Sequence, residues 1–392
     1  MRALVVSDLP WRPISAGNRE RLDTLIAYLA AQGIEIAAVL LPTADLGEWD
    51  VATMRATVAQ LEIARPPLVA RLTGGAGSRW QRQPPAAEPI KVDAWCPRWF
   101  RTHVARSARA WTPDLVIVEY VYLSACCEAL APRTGRRPLI ILDAHDVMHQ
   151  RAAMYGAAGM TPRWFHTTYA EEQRGLGRAD VVLAITPEDS AVFQTMVPDR
   201  TVLTVPHGRA VTPAAPGDAM PTRLLYTASY NDLNVAGLRW FLSSVWPALR
   251  RDFPDLELLV CGNIATKLGP MPAGVVVRGF VSSLAEEYRH ARVVIEPVQV
   301  GTGIKVKVVD ALCHGRPVVT TRAGAAGLEI GARSGIVVVD DAAAFAQAVH
   351  QLFDDDAVWM QAVQGAVAQA RQRFSPEVAF APLARCLARR RA

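Results

Sequence analysis

The densest grouping of residues able to bind an anion lies between Glu296 and Leu328. It opens with a glycine loop, Gly301-Thr302-Gly303, and carries Lys305, Lys307 and Asp310 on a short helical run that closes at Gly315. An apolar strand from Pro317 to Thr321 follows. Glycines let backbone N–H groups approach an oxyanion with no Cβ in the way, and a helix N-terminus favours negative charge. A phosphate suits such a loop. Lys305 and Lys307 add point charges, but residues two apart do not share a helix face, so one of them reaches the ligand directly. A helix starting near Ile304 puts Asp310 on the face of Lys307, where a carboxylate accepts well from paired ribose hydroxyls. The plainer alternative is a surface turn whose glycines only reverse the chain.

A second group lies in Leu142–Arg151, where His145 and Asp146 come directly after an apolar run. That places them at the carboxyl end of a strand, where α/β sheets present reacting groups. His149 follows about one helical turn on. The stretch Val118 to Leu123 ends another strand-like run, and its Glu119 and Tyr120 are candidates to line an acceptor. Near the start of the chain, Gly17 precedes an amphipathic helix, and Arg19 or Arg21 could meet a phosphate there. The alternative is a plain helix N-terminus with solvated arginines. The absence of a G-x-G-x-x-G run after this strand disfavours a dinucleotide dehydrogenase.

The elements that must position these residues follow a repeating order. A chain of 392 residues exceeds one ordinary core and suggests two domains. Half of its residues are hydrophobic and a fifth charged, values of a globular protein rather than a disordered one. Apolar strand-like runs at Ala3–Ser7, Ile34–Leu41, Leu115–Tyr120, Pro138–Asp146, Asp180–Thr186 and Thr201–Pro206 alternate with helical stretches, the first from Gly17 to Gln32. Residues 42–112 give no assignable structure, and Gly74–Pro89 reads as a loop. Between His207 and Pro221 the composition turns to Pro, Gly and Ala, a linker signature, after which the alternation restarts. The chain therefore reads as two Rossmann-like sheets in series, with an interdomain cleft as the expected active site.

Composition excludes several classes. The net charge of +5 is mild and its excess gathers at Arg385 and Arg389-Arg390-Arg391, a charged tail without the interleaved aromatics of a nucleic-acid stripe. The six cysteines form no C-x-x-C pair and no zinc spacing with histidines, which suits small buried hydrophobes in a reducing compartment. No window approaches the roughly 20 apolar residues of a membrane span, and the apolar run before Ser7 is too short for a signal peptide. A cytoplasmic protein is expected, with at most peripheral contact at the inner membrane face through the terminal arginines.

The run G-x-G-I-x-x-K-V-V-D-A-L-x-x-G-R-P-V-V-T-T, followed by Gly324 and Gly327-Leu328, resembles the donor-binding segment of family-4 glycosyltransferases. The resemblance extends over nearly the whole chain and implies the GT-B fold: two Rossmann-like doubly wound domains facing across a cleft, with a C-terminal helix crossing back. It implies an acceptor domain at 1–207, a nucleotide-sugar donor domain at 208–373 and a returning helix at 374–392, with Ser375 as its cap. By the same resemblance Lys307 stands near the donor diphosphate and Asp310 takes the place of the glutamate that holds the ribose. Gly279 and Phe280 belong to a segment that holds the nucleotide base through backbone atoms, and Gly17 faces donor or acceptor. His145 faces the donor sugar, while Asp146 either orients it or touches the acceptor. Two departures stand out. Thr302 falls where the family has its first glutamate, and Tyr230, Asn231 and Asp232 occupy the loop where many members carry an Arg and a Lys for the diphosphate.

The resemblance implies a retaining glycosyltransferase that moves a sugar from a nucleotide sugar to an unidentified acceptor, a glycan, lipid-linked sugar, protein or small molecule. His145, Asp146 and Lys307 form its catalytic set, and Lys305, Lys307 and the Gly301–Gly303 amides stabilise the departing diphosphate. No cofactor and no metal are expected. The alternatives are a sugar-nucleotide epimerase of the same architecture and a degenerate, non-catalytic partner subunit.

Overall fold

The computed structural model describes the chain except for residues 15, 42–45, 68–87, 131–136, 158, 163–164, 216, 218–221, 282, 302, 332 and 392. It divides into two compact units, Met1–Val205 with Pro382–Ala392, and Pro206–Ala381. The loop expected at Gly74–Pro89 lies almost wholly outside the described residues.

The first unit is built on seven strands: β1 (Arg2–Ser7), β2 (Glu35–Leu40), β3 (Gln60–Ile63), β4 (Leu115–Glu119), β5 (Leu139–His145), β6 (Val181–Ala184) and β7 (Thr201–Thr204). They form one parallel sheet in the order β3-β2-β1-β4-β5-β6-β7. Parallel strands are covered on both faces and so read as continuous apolar runs. All five residues of β4 are buried, including the carboxylate Glu119. The stretch with no assignable structure supplies the edge of this sheet: a helix at Glu48–Arg55, β3, and a helix at Arg98–Trp111 that buries Phe100 and Val104. Its strand, QLEI, is short and only half-buried, which leaves little apolar pattern to read.

The second unit has six parallel strands: β8 (Arg223–Thr227), β9 (Glu257–Cys261), β10 (Val275–Gly279), β11 (Val293–Glu296), β12 (Val318–Thr320) and β13 (Ile336–Val338). Their order is β10-β9-β8-β11-β12-β13. The helix Asp232–Trp240 lies close over the end of β11, because Gly237 leaves no side chain between them. A Cβ there would come within 2.8 Å of the Pro297 carbonyl oxygen. Asn231 caps that helix by accepting from the Asn234 amide at 2.7 Å. The segment expected as a free linker is tied to this unit. Arg209, Thr212 and Ala214 donate their amides to the carbonyls of Phe374, Cys313 and His314.

At the end of the chain the helices Asp356–Arg373 and Ala381–Arg391 flank a short turn at Pro376–Ala379. Ser375 stands at the start of that turn but does not cap it, since its hydroxyl donates back to the Arg371 carbonyl at 3.2 Å. Each sheet reverses its winding once, between β1 and β4 in the first unit and between β8 and β11 in the second. Ligands of open α/β sheets settle beyond the carboxyl ends of the strands at such reversals. The residues following β1, β4, β8 and β11 therefore stand at the positions where a ligand would bind.

Candidate functional site

In the first unit those strand ends carry Asp8, Tyr120 and Tyr122, with His145 on the neighbouring β5. His145 is 3% exposed, and its Nε2–H donates to Glu119 Oε2 at 2.7 Å. A carboxylate only accepts, so the ring proton on that side is assigned by chemistry. Nδ1 has no protein partner among the described residues. The pairing register of β5 on β6 shifts between Asp143 and His145, and such a bulge re-aims a side chain. The backbone is strained at the same place. His145 has φ +60°, and Tyr120 on the adjacent strand has φ +60° and ψ 147°, a region normally reserved for glycine. The two rings stack, centroids 4.0 Å apart, and Asn18 holds the Tyr120 hydroxyl at 3.1 Å.

Behind this pair sits a fully buried ion network. Asp143 accepts a two-pronged bond from Arg21, Nε to Oδ2 and Nη2 to Oδ1, both 2.8 Å, while Arg21 Nη1 donates to the Val205 carbonyl at 2.9 Å. Arg21, a candidate phosphate ligand on sequence grounds, is thus a buried structural cation. Its side chain is 1% exposed. Burial alone would push the His145 imidazole down, but Asp143 and the hydrogen-bonded Glu119 outweigh it and raise its pKa above the ordinary value. Burial, and then Asp143, also raise the Glu119 carboxyl, so the pair holds its shared proton tightly. Asp8 accepts from the Tyr122 hydroxyl at 3.2 Å, and burial pushes its carboxyl up to about 7.

Three potential ligand atoms, from Glu119, Asp143 and His145, lie within 4.8 Å of one another. Both Asp143 oxygens are engaged by Arg21 and Glu119 Oε2 by His145, while Glu119 Oε1 is buried without a hydrogen-bond partner among the described residues. The guanidinium supplies the positive charge that a cation would bring.

Asp146 does not orient His145; it accepts from Arg151 at 2.9 Å and keeps a third of its side chain exposed. His149 is held by Glu172, which also accepts the Met148 and His149 amides at 2.8 Å. Glu119 does not line an acceptor surface, being wholly buried behind the histidine. Gly17 begins the first helix, and Arg19 is partly buried beside it with Nη1 3.4 Å from the Pro13 carbonyl.

In the second unit the site gathers at the end of β11. Gly303 adopts φ +69°, and Lys305 folds back so that Nζ donates to the Gly303 carbonyl at 2.9 Å. Thr302 lies outside the described residues. The helix starts at Val306 and ends at Cys313, with Lys305 as the residue before its first turn. Lys307 therefore points toward the strand end and not along Asp310. Its Nζ lies 2.6 Å from Glu296 Oε2, 2.9 Å from Asn234 Oδ1 and 4.8 Å from the Tyr226 ring centroid. Glu296 is fully buried, so the charge of Lys307 is largely compensated inside the protein. Asp310 accepts from Arg209 Nε at 2.6 Å. Gly279, at φ +71°, closes β10 by accepting the Gly262 amide at 2.7 Å, and leaves Phe280 58% exposed.

The roles of Glu296, Glu119, Asp143 and Asn234 do not follow from the sequence motifs. A signal existed for the three acids, each a lone carboxylate in an apolar strand that is covered on both faces. Such a group requires a cation partner.

Comparison with known proteins places this geometry. The chain has the two-sheet fold of GT-B glycosyltransferases. Sucrose-phosphate synthase from Thermosynechococcus elongatus superposes with a TM-score of 0.72 at 13% identity, covering 99% of both chains. Anabaena HepE in complex with UDP-glucose gives 0.70 at 15% identity, again over 99% of both, and TarM of S. aureus gives 0.70 at 8% identity over 100% of this chain and 99% of that one. Residues 221–355, within the second unit, match the model for "Glycosyl transferases group 1". An uncharacterized 44.6 kDa protein in the cps region of Klebsiella pneumoniae is 27% identical over 125 residues, 29% of this chain and 32% of that relative. Among the described residues no helix is long and apolar enough to cross a membrane.

Proposed function

We propose that the protein is a retaining glycosyltransferase of family-4 type that takes its sugar from a nucleoside diphosphate sugar. The observation that carries this reading is the Gly301–Gly303 loop with Lys305 at the N-terminus of helix Val306–Cys313. It sits at the winding reversal of a sheet whose residues match the group 1 glycosyl transferase model. Uridine diphosphate is the favoured carrier, because structures with this fold are complexed with UDP or UDP-glucose.

The loop amides and Lys305 receive the diphosphate, as a preorganised charge sink for the leaving group. Lys305 exchanges its bond to the Gly303 carbonyl for the diphosphate. Lys307 is a less direct participant than the sequence implies, because it is already paired with Glu296. Its role is to hold Asn234, and with it the loop after β8, against the glycine loop. Asp310 exchanges Arg209 for the ribose hydroxyls, Gly279 and the exposed Phe280 receive the base, and His145 serves the transferred sugar. Asp146, partly exposed at the end of β5, is available to the acceptor. The charge sink needs no metal ion.

A thermal-shift panel of UDP, GDP, ADP and dTDP tests the reading. A nucleotide at about 100 times its dissociation constant adds roughly 2.7 kcal/mol of stability, and Lys305→Ala should reduce that shift while leaving the ligand-free transition in place. No shift with any of the four would overturn the assignment.

A further inference from the structure

The partner of His145 is more informative than the histidine itself. We propose that Glu119 is a positioning residue for sugar transfer: it fixes the His145 ring through Nε2 and keeps Nδ1–H as the donor offered to an oxygen of the nucleotide sugar. This rests on the glycosyltransferase reading above. Four observations converge on it. The Nε2–Oε2 distance is 2.7 Å between groups 3% and 0% exposed, which fixes the ring plane. Nδ1 is left without a partner among the described residues, at the carboxyl end of β5. The Tyr120 ring covers one face of the imidazole at 4.0 Å and closes that face to a ligand. Both stacked residues sit in left-handed backbone conformations beside a bulge, strain that persists only where the surroundings over-determine it.

The charges facing the ring decide its protonation. Glu119 comes from β4, Asp143 from the histidine's own strand, and Arg21 from the first helix. Arg21 is engaged by both Asp143 oxygens. Asp8, after β1, joins the same field and is itself pushed up to about 7. Glu119 therefore faces His145 without a cation of its own other than the imidazolium. Removing its charge favours loss of one His145 proton, so Nδ1 is no longer held as a donor by the imidazolium. A donor at Nδ1 matches a sugar hydroxyl oxygen or a phosphoryl oxygen, and the two are separated by the readout below.

Glu119→Gln keeps shape and removes charge. The intact protein is titrated by heteronuclear NMR of its histidine rings, with His145 assigned by the missing signal in His145→Gln. In the unchanged protein His145 should titrate above the ordinary range, and in Glu119→Gln about one pH unit or more lower. The alkaline limb of kcat/KM for transfer should move to lower pH by the same amount, giving about a tenfold loss at pH 8 and little loss at pH 6. Adding UDP should leave the Nδ1–H signal unmoved and UDP-glucose should shift it if the oxygen belongs to the sugar; a shift with UDP assigns it to the phosphate. An unchanged His145 titration in Glu119→Gln overturns the proposal, as does a pH profile that stays put while the titration moves. A loss equal at every pH marks a purely structural pair and also overturns it. Failure of the unchanged protein to transfer from any nucleotide sugar counts against the glycosyltransferase reading instead, and the titration still decides on Glu119.

Discussion

Replacing Asp8 by Asn should stabilise the first unit at neutral and alkaline pH and have little effect in acid. Asp8 is 3% exposed and accepts from Tyr122 at 3.2 Å. Burial raises its carboxyl from an ordinary 3.8 to about 7, with the Tyr122 hydrogen bond opposing and Glu119 adding to the rise. The folded protein thus keeps a proton that the unfolded chain releases above pH 3.8. Stability is complete below that value, falls as pH rises toward about 7, and is level beyond it. Some three pH units at 1.36 kcal/mol each amount to about 4 kcal/mol. Asparagine cannot ionise and keeps an acceptor for Tyr122, so the variant should gain most of that difference at pH 8 and less than half of it at pH 5. With a urea slope of about 2–3 kcal/mol/M, the midpoint of the transition should rise by roughly 1.3–2 M at pH 8. Urea titrations followed by tryptophan fluorescence at both pH values measure it. An equal change at both pH values, or no gain at pH 8, refutes the reasoning.

Three other outcomes are expected. Lys307→Met should destabilise the second unit by about 3 kcal/mol by leaving the Glu296 charge buried alone. The double change Glu296→Gln/Lys307→Met should recover most of that loss in the same denaturation assay. Asp310→Asn should weaken nucleotide binding about tenfold or more, read by calorimetry, because a charge-assisted acceptor for the ribose is lost. Gly237→Ala should lower stability by about 1–3 kcal/mol, since its Cβ would press on the Pro297 and Val298 backbone at 2.8–2.9 Å, and thermal melts of the second unit should show it.

What could be read from the sequence was what is local. The apolar runs of β4, β5 and β11 announce strands because both faces are covered, and the glycine loop announces itself by spacing. The assignment of partners was not legible. A helix start near Ile304 puts Asp310 on the face of Lys307, but the helix begins at Val306, and Arg209, 101 residues away, takes the carboxylate. Asp146 looked like the natural orienter of His145 because it is adjacent in sequence. The orienting carboxylate instead comes across the sheet, because β4 pairs with β5 and aligns Glu119 with Asp143. Cross-strand neighbours of this kind depend on sheet order, which apolar periodicity does not encode.

The Arg21 side chain has a consequence for how the protein is made. Its acceptors are 122 and 184 residues further along the chain, at Asp143 and Val205. A ribosome adding about 5–20 residues per second needs roughly 6–25 s to pass from Arg21 to Asp143 and roughly 10–40 s to reach Val205. Until Asp143 has been made, the first helix has emerged with a guanidinium on the face destined for the interior and without its ion-pair partner, so it has little reason to dock on the early strands. The histidine network thus closes late in synthesis of the first unit, and a nascent chain stalled before Asp143 should expose the first helix to protease while a chain completed through Val205 should not.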